Sequence, residues 1–389
     1  MNRRWIIAAM VMTVLMISGC GTGAANESNI CSEADSSQTQ TEFVADSETY
    51  DDADSAADPI AAATDDTNTN PEATRDIFAM DTYMSIHTYG EKAEDAANEA
   101  VEEIHRLNEL FSVGIDTSEI SVLNREKTAQ VSEDTMTLVT RSQEISESTG
   151  DAFDITVFPL MQSWGFVSGD YRVPPQGEID TLLGYVNMSD IKADPSAGTV
   201  TLLGDNTAID LGGIAKGYTS ARLMDVFRSY GLTSGMVSLG GNVQVLGTKP
   251  DGSLWRVGIE NPQGGDYLGV LSTKDAAVIT SGGYERYFEE NGKRYHHILD
   301  PATGYPAESG LVSVTIVSPD GTLADALSTA LFVMGRERAE EYWRAHADEF
   351  DVILQDEGGT IYVSQGIWND YEGGAGTDIV EITAGEPEK

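Results

Sequence analysis

From Gly21 to about Arg75 the chain is drawn mainly from Ser, Thr, Asn, Ala, Asp and Glu, and Arg75 is its only basic residue. So few apolar side chains, carrying one sign of charge, cannot bury enough surface to offset the entropy of ordering. This stretch limits the fold more than any other feature, because a core has to be built from the residues beyond it. Residues 20–75 read as a self-repelling spacer, and a shorter acidic tail, 373–389, closes the chain. The folded part is expected over 76–372, with no chemistry in either acidic segment.

Ahead of the spacer, Asn2-Arg3-Arg4 gives a short basic start, followed by an apolar run from Trp5 to Ile17. That run is shorter than the roughly 20 residues a bilayer span needs, but it suits the core of a signal peptide. It ends in Ile17-Ser18-Gly19-Cys20, which resembles the bacterial lipobox, whose cysteine is acylated and becomes the first residue of the mature chain. The expectation is a signal peptide over 1–19, a lipid on Cys20, and a domain held off the outer face of the cell membrane by the spacer. Two cysteines cannot build a disulfide-dense scaffold or a four-thiolate metal site, and Cys31 reads as incidental. Lys and Arg number 23 against 64 Asp and Glu, a net charge of −41. Such a surface repels phosphate backbones, so nucleic acid is excluded as a partner. It also excludes holding an anionic membrane face by charge alone.

Within the folded part, alternation predicts a strand at Thr82–Tyr89. Ala97, Ala100, Val101, Ile104, Leu107 and Phe111 recur at helical spacing and predict a helix over Ala93–Phe111. Further helices are expected at Glu133–Ser148, Lys216–Tyr230 (with Gly231 just past its end), Leu323–Met334 and Glu337–His346. Short β-like runs are expected at Met236–Leu239, Val243–Leu246, Trp255–Ile259, Leu268–Ser272, Ala277–Thr280, Arg294–Leu299 and Val312–Val317, with a closing pair near Val352 and Ile361. Clustered strands with helices between the clusters indicate α+β rather than strict βαβ alternation.

Three segments concentrate polar function. Asp210-Leu211-Gly212-Gly213-Ile214-Ala215-Lys216-Gly217 joins a strand to a helix through paired glycines, where free N–H groups and Lys216 can meet an anion. It lacks the Gly-Lys-Ser/Thr order of a Walker loop, and such a turn is often only a turn. His296-His297-Ile298-Leu299-Asp300-Pro301 is the densest polar cluster. Neighbouring strand residues point to opposite faces, so one histidine enters a given site, and Asp300-Pro301 with Thr303-Gly304 reads as a turn. Asp325 and Thr329 are one helical turn apart and share a face. Their oxygens are hard ligands suited to Mg²⁺. Equally, Thr322 can cap the helix and Asp325 can complement its dipole from the first turn.

These segments occur in the order Phe78-Ala79-Met80-Asp81-Thr82, Ser118–Asn124, Gly150–Thr156, Asp210–Gly217, Leu239-Gly240-Gly241-Asn242, Thr280-Ser281-Gly282, His297–Pro306 and Asp325–Thr329. Together they resemble the ApbE family, the FAD:protein FMN transferases, over roughly Phe78 to Val363. The resemblance implies an α+β fold with mixed, largely antiparallel sheets, FAD as substrate, and Mg²⁺-dependent transfer of FMN to a threonine of another protein. By motif match it implies flavin-nucleotide contacts at Met80, Ala152, Phe153, Asp154, Asp210, Lys216 and the backbone of Leu299. It likewise implies metal ligands at the Gly213 carbonyl, Asp325 and Thr329, and a histidine required for activity at His297. One departure is Gly114, which stands in the loop after Phe111 where the family often carries an aromatic.

The expected chemistry is attack by an acceptor threonine on the FMN-side phosphorus, with AMP leaving and His297 taking the hydroxyl proton. Asp300 is expected either to orient His297 or to serve as base. The acceptor implied by the family is an exported or membrane-bound redox flavoprotein. With water as nucleophile the same site is an FAD pyrophosphatase, and without a competent metal site it is a flavin-binding lipoprotein.

Overall fold

The computed structural model describes residues 71–264 and 267–385, so the expected signal peptide, Cys20, Cys31 and nearly all of the spacer lie outside the described residues. In chain order the elements begin with β1 (Glu72–Ala79), β2 (Thr82–Tyr89), α1 (Ala93–Phe111), α2 (Glu119–Glu126), β3 (Thr128–Gln130) and α3 (Glu133–Thr149). Then come α4 (Phe158–Ser163), α5 (Gln176–Leu183), β4 (Ile191–Asp194), β5 (Thr199–Leu202) and α6 (Ala215–Ser229). A run of strands follows: β6 (Ser234–Leu239), β7 (Asn242–Gly247), β8 (Trp255–Ile259), β9 (Gly269–Thr273), β10 (Ala277–Gly282), β11 (Tyr287–Glu290), β12 (Lys293–His296) and β13 (Leu311–Ser318). The chain continues with α7 (Gly321–Met334), α8 (Arg336–Ala345), β14 (Asp351–Asp356), β15 (Thr360–Ser364), β16 (Tyr371–Gly373) and β17 (Asp378–Ile382).

Among the described residues nine strands form one sheet, in the order β1-β2-β6-β7-β10-β13-β14-β15-β17. Every pairing in it is antiparallel except β15 with β17. One face of its first half is covered by α1 and α6, through Ala97, Ala100, Ile104, Leu223 and Phe227. Farther along, α7 packs Leu327, Ala330 and Leu331 into a core with Val314, Ile316 and Val352. The opposite face is closed by the small sheet β16-β9-β8, whose Trp255, Val257 and Leu271 meet Val243, Val278 and Ile353. The fold is α+β with mixed, largely antiparallel sheets, as the sequence implies.

Both edges of the large sheet lie where composition had placed the limits of the fold. β1 begins at Glu72, inside the expected spacer, with Ala73 and Ala79 buried. β17 lies inside the expected acidic tail and pairs with β15, burying Ile382. Edge strands keep one side solvated and tolerate charge. Their average composition therefore resembles spacer even though alternate residues pack. Two smaller differences concern polar segments. The strand expected over Arg294–Leu299 ends at His296, because Leu299 turns away to bridge Pro306. α7 is capped by Asp320, whose carboxylate accepts the N–H groups of Thr322 and Leu323, so Thr322 is not the cap.

Candidate functional site

The β1–β2 hairpin turns through Met80 and Asp81, both at positive φ (48° and 58°), in a tight two-residue reversal that non-glycine residues adopt at some cost. The turn is held from outside. Met80 N–H donates to Asn108 Oδ1 at 3.2 Å, and the Thr219 hydroxyl of α6 lies 3.7 Å from the Met80 sulfur. Met80 is thereby fixed against the helix that carries Lys216.

The glycine-rich segment is positioned before it reaches α6. Asn124 makes paired hydrogen bonds with the backbone of Ile209, at 2.8 and 2.7 Å, and Asp210 N–H donates to the Ile155 carbonyl at 2.9 Å. The bond to Ile155 ties the turn to the segment holding Ala152, Phe153 and Asp154. Ala152 and Phe153 are buried. A Cβ on Gly213 would stand 3.2 Å from the Phe153 ring and 3.9 Å from Thr329 Oγ1, so these three expected site residues are neighbours. Asp154 is 8% exposed and accepts both the N–H (2.7 Å) and the hydroxyl (2.5 Å) of Thr156. Burial nevertheless pushes its carboxyl up to about 6. The surrounding protein also raises Asp210, against the opposing pull of the Gly212 N–H, Arg286 and Lys216.

α6 has no side-chain cap of its own. Its first turn is met instead by a carboxylate from α7: Asp325 Oδ2 accepts the Gly217 N–H at 2.8 Å, and Oδ1 accepts the Asn242 amide at 2.9 Å. The approach is possible because each helix has a glycine in its first turn, Gly217 and Gly321, where they touch. A Cβ on Gly217 would lie 2.1 Å from the Gly321 carbonyl oxygen and 2.5 Å from Asp325 Cβ. Asp325 is 4% exposed, and its α-carbon lies beyond the first turn of α7. It therefore serves the N-terminus of α6 rather than the dipole of its own helix. Thr329, one turn on, is 3.3 Å from the Ser281 hydroxyl, which also meets Ser328 at 2.7 Å.

His297 lies just past β12. Its backbone N–H donates to the Arg286 carbonyl at 3.0 Å, and its ring Nδ1 is 3.2 Å from the same oxygen. A carbonyl only accepts, so Nδ1 carries the proton and Nε2 is left with its lone pair. Burial is the main cause that lowers the imidazole to about 3, helped by Arg286, His296 and Lys216, so the ring is neutral at pH 7. His296 faces elsewhere, reaching the Ala307 carbonyl at 3.2 Å and the edge of Phe332. Asp300 does not orient His297. Its carboxylate accepts the Ala302 N–H (2.9 Å) and the Thr303 hydroxyl (3.2 Å) of its own turn, and the Arg286 carbonyl holds the ring in its place. Leu299 is buried in the bridge to Pro306.

Lys216 links these parts, because its charge is felt by Asp210, Glu285 and His297. Burial pushes the Glu285 carboxyl up to about 8, against the opposing charge of Lys216, with Glu260 and Asp325 adding to the rise. Sequence reasoning assigned no role to Asn124, Asn242, Ser281, Glu285 or Arg286. Three of these fell inside matched motifs; Glu285 and Arg286 carry no periodic or turn signal and are recognisable only from the fold.

The sequence model of the ApbE family matches residues 80–354. The chain belongs to the ApbE family. An FAD:protein FMN transferase of Treponema pallidum is 32% identical over 290 residues, covering 69% of this chain and 80% of that protein. One of Klebsiella pneumoniae is 32% identical over 250 residues, covering 63% of this chain and 77% of its own length. Among solved structures, the ApbE protein of Thermotoga maritima superposes with a TM-score of 0.73 at 35% identity, covering 77% of this chain and 99% of that one. The flavin transferase ApbE of Vibrio cholerae gives 0.70 at 27% identity with the same coverage. No group of three or more His, Cys, Asp or Glu side chains that could hold a metal occurs among the described residues. The set that the resemblance implies, Gly213, Asp325 and Thr329, is of another kind: a carbonyl, one carboxylate and a hydroxyl. Gly213 and Thr329 are adjacent and Asp325 lies one turn from Thr329, so these hard oxygens fit Mg²⁺ completed by water and substrate phosphate.

Proposed function

We propose that this chain transfers the FMN half of FAD to a threonine hydroxyl of another protein and releases AMP. The observation that carries this reading is a neutral His297, held in one tautomer by the Arg286 carbonyl and within the field of Lys216 at the start of α6. Lys216, in the first turn of that helix, favours the pyrophosphate by its charge. The threonine oxygen bonds to the FMN-side phosphorus as the bridging P–O bond breaks, and the electron pair departs on the AMP phosphate. The hydroxyl proton passes to His297 Nε2. Phosphate charge set against Lys216 and Arg286 removes part of what depresses the ring, so substrate binding makes His297 a better base.

Gly213, Asp325 and Thr329 would hold Mg²⁺, which supplies charge neutralisation on the pyrophosphate when bound. Met80, Phe153, Asp154 and Asp210 surround the flavin nucleotide in this reading. A lipid on Cys20 would keep the enzyme at the outer face of the membrane, within reach of an exported or membrane-bound redox flavoprotein.

The test is incubation with FAD, Mg²⁺ and threonine peptides, read by mass. Wild type is expected to add one FMN per threonine and release AMP in equal amount. His297→Ala is expected to transfer roughly 10²–10⁴-fold more slowly while still binding FAD. FMN and AMP appearing free, with no adduct, would make the protein a pyrophosphatase instead.

A further inference from the structure

The nucleophile of the proposed reaction belongs to another protein, so something must steer an acceptor segment to His297. β11 and β12 form a two-stranded sheet separate from the others, joined by Asn291-Gly292 at φ 54° and 77°. Their ladder continues into the site, because the next pair along is Arg286 with His297, bonded at 3.0 Å. That bond also fixes the phase. In an antiparallel ladder hydrogen-bonded and non-hydrogen-bonded pairs alternate. Counting from Arg286 and His297, the backbone groups of Tyr287 and Glu289 point away from β12.

The two outer edges of this hairpin differ. That of β12 is flanked by the segment after the Asp300 turn, through His296 to the Ala307 carbonyl and Lys293 to Glu308. That of β11 has no strand or backbone hydrogen-bond partner among the described residues, and Tyr287 and Glu289 are exposed. One face of the hairpin is anchored, since Phe288 stacks between Tyr171 and Tyr295, with ring centres 5.3 Å away on each side. Residues 285–297 also carry as many Lys and Arg (Arg286, Lys293, Arg294) as Asp and Glu (Glu285, Glu289, Glu290), in a chain whose net charge is −41. An acidic segment is repelled less here than by the chain on average.

We infer that the outer edge of β11 is the docking rail for the acceptor, which adds as an extended strand and is led along β11 to Arg286, the residue across from His297 in the ladder. Main-chain pairing of this kind gives affinity with little demand on sequence. The inference rests on the transfer reading above, and its failure is distinguishable from the failure of that reading.

The probe is the peptide modified fastest by wild type in a synthetic threonine-peptide library. Glu289→Pro removes an outward N–H without touching the β12 ladder. Glu289→Ala loses the same contact to Arg294 but keeps the amide. Relative to Glu289→Ala, the proline variant is expected to raise KM for the peptide about five- to tenfold, with kcat little changed. In wild type loaded with FAD, saturating peptide is expected to slow amide exchange at Tyr287 and Glu289. Equal KM in the two variants, or unchanged exchange at both amides in the folded wild type, overturns the docking rail while leaving transfer intact. FAD cleavage with no peptide modified overturns both readings.

Discussion

The α6–α7 contact and the turn after β12 each bring a carboxylate to the site, by opposite means. Asp325 is held by partners 108 and 83 residues away in sequence, at an approach only glycine permits. Asp300 is held by residues two and three positions on and folds its own turn. A carboxylate satisfied over long range is positioned for whatever the fold assembles around it. One satisfied locally shapes the backbone that carries its neighbours. The difference explains why Asp325 survives as a metal-ligand candidate, while Asp300 becomes a support for the segment that presents His297 and Leu299.

The contrast breaks first at Asp325. Asp325→Asn puts an amide N–H₂ against either the Gly217 N–H or the Asn242 amide, leaving a buried donor unsatisfied at about 1–3 kcal/mol. FMN transfer is expected to fall roughly 10²–10³-fold, with FAD still bound and a changed Mg²⁺ dependence. Full activity with an unshifted Mg²⁺ titration would reduce Asp325 to a helix cap.

Gly217→Ala tests the approach itself. The added methyl meets backbone that cannot swing aside, so destabilisation near the upper end of about 1–3 kcal/mol is expected. The measurement is a melting curve together with transfer rate; a native melting point would show that α6 and α7 separate freely.

Asp154 is an intermediate case, locally bonded yet buried. Its folded carboxyl is raised to about 6, so ionisation costs stability above the unfolded value near 4 and costs it fully above about 6. Asp154→Asn keeps an oxygen for Thr156 and removes that cost. The variant is expected to be more stable at pH 8 by no more than about 3 kcal/mol, with the gain vanishing towards pH 4. A constant difference across that range would show that Asp154 does not titrate with folding.

The smallest effect is expected at Asp300. Asp300→Ala loses local turn bonds, about 1 kcal/mol, and slows transfer only a few-fold by loosening the backbone after His297. A loss as large as that of His297→Ala would restore Asp300 as a proton-handling group.

Periodicity determined α1 residue for residue and came within a residue at each end of α3 and α6, because a core-facing stripe 15 to 19 residues long repeats itself. The order of polar motifs likewise determined the family. The short α2, α5, β4 and β5 went unseen, since a few residues carry too little periodic signal. β1 and β17 were obscured by the solvated side of a sheet edge. At the site, the sequence determined which residue types are present: Lys216 after paired glycines, His297 before a turn, Asp325 one turn from Thr329. Only the tertiary structure decided that Asp325 meets α6, that the Arg286 carbonyl holds His297, and that Asp300 does not. Local chemistry fixes what a residue can bond to, but long-range packing chooses among partners, and that choice depends on contacts no sequence window contains.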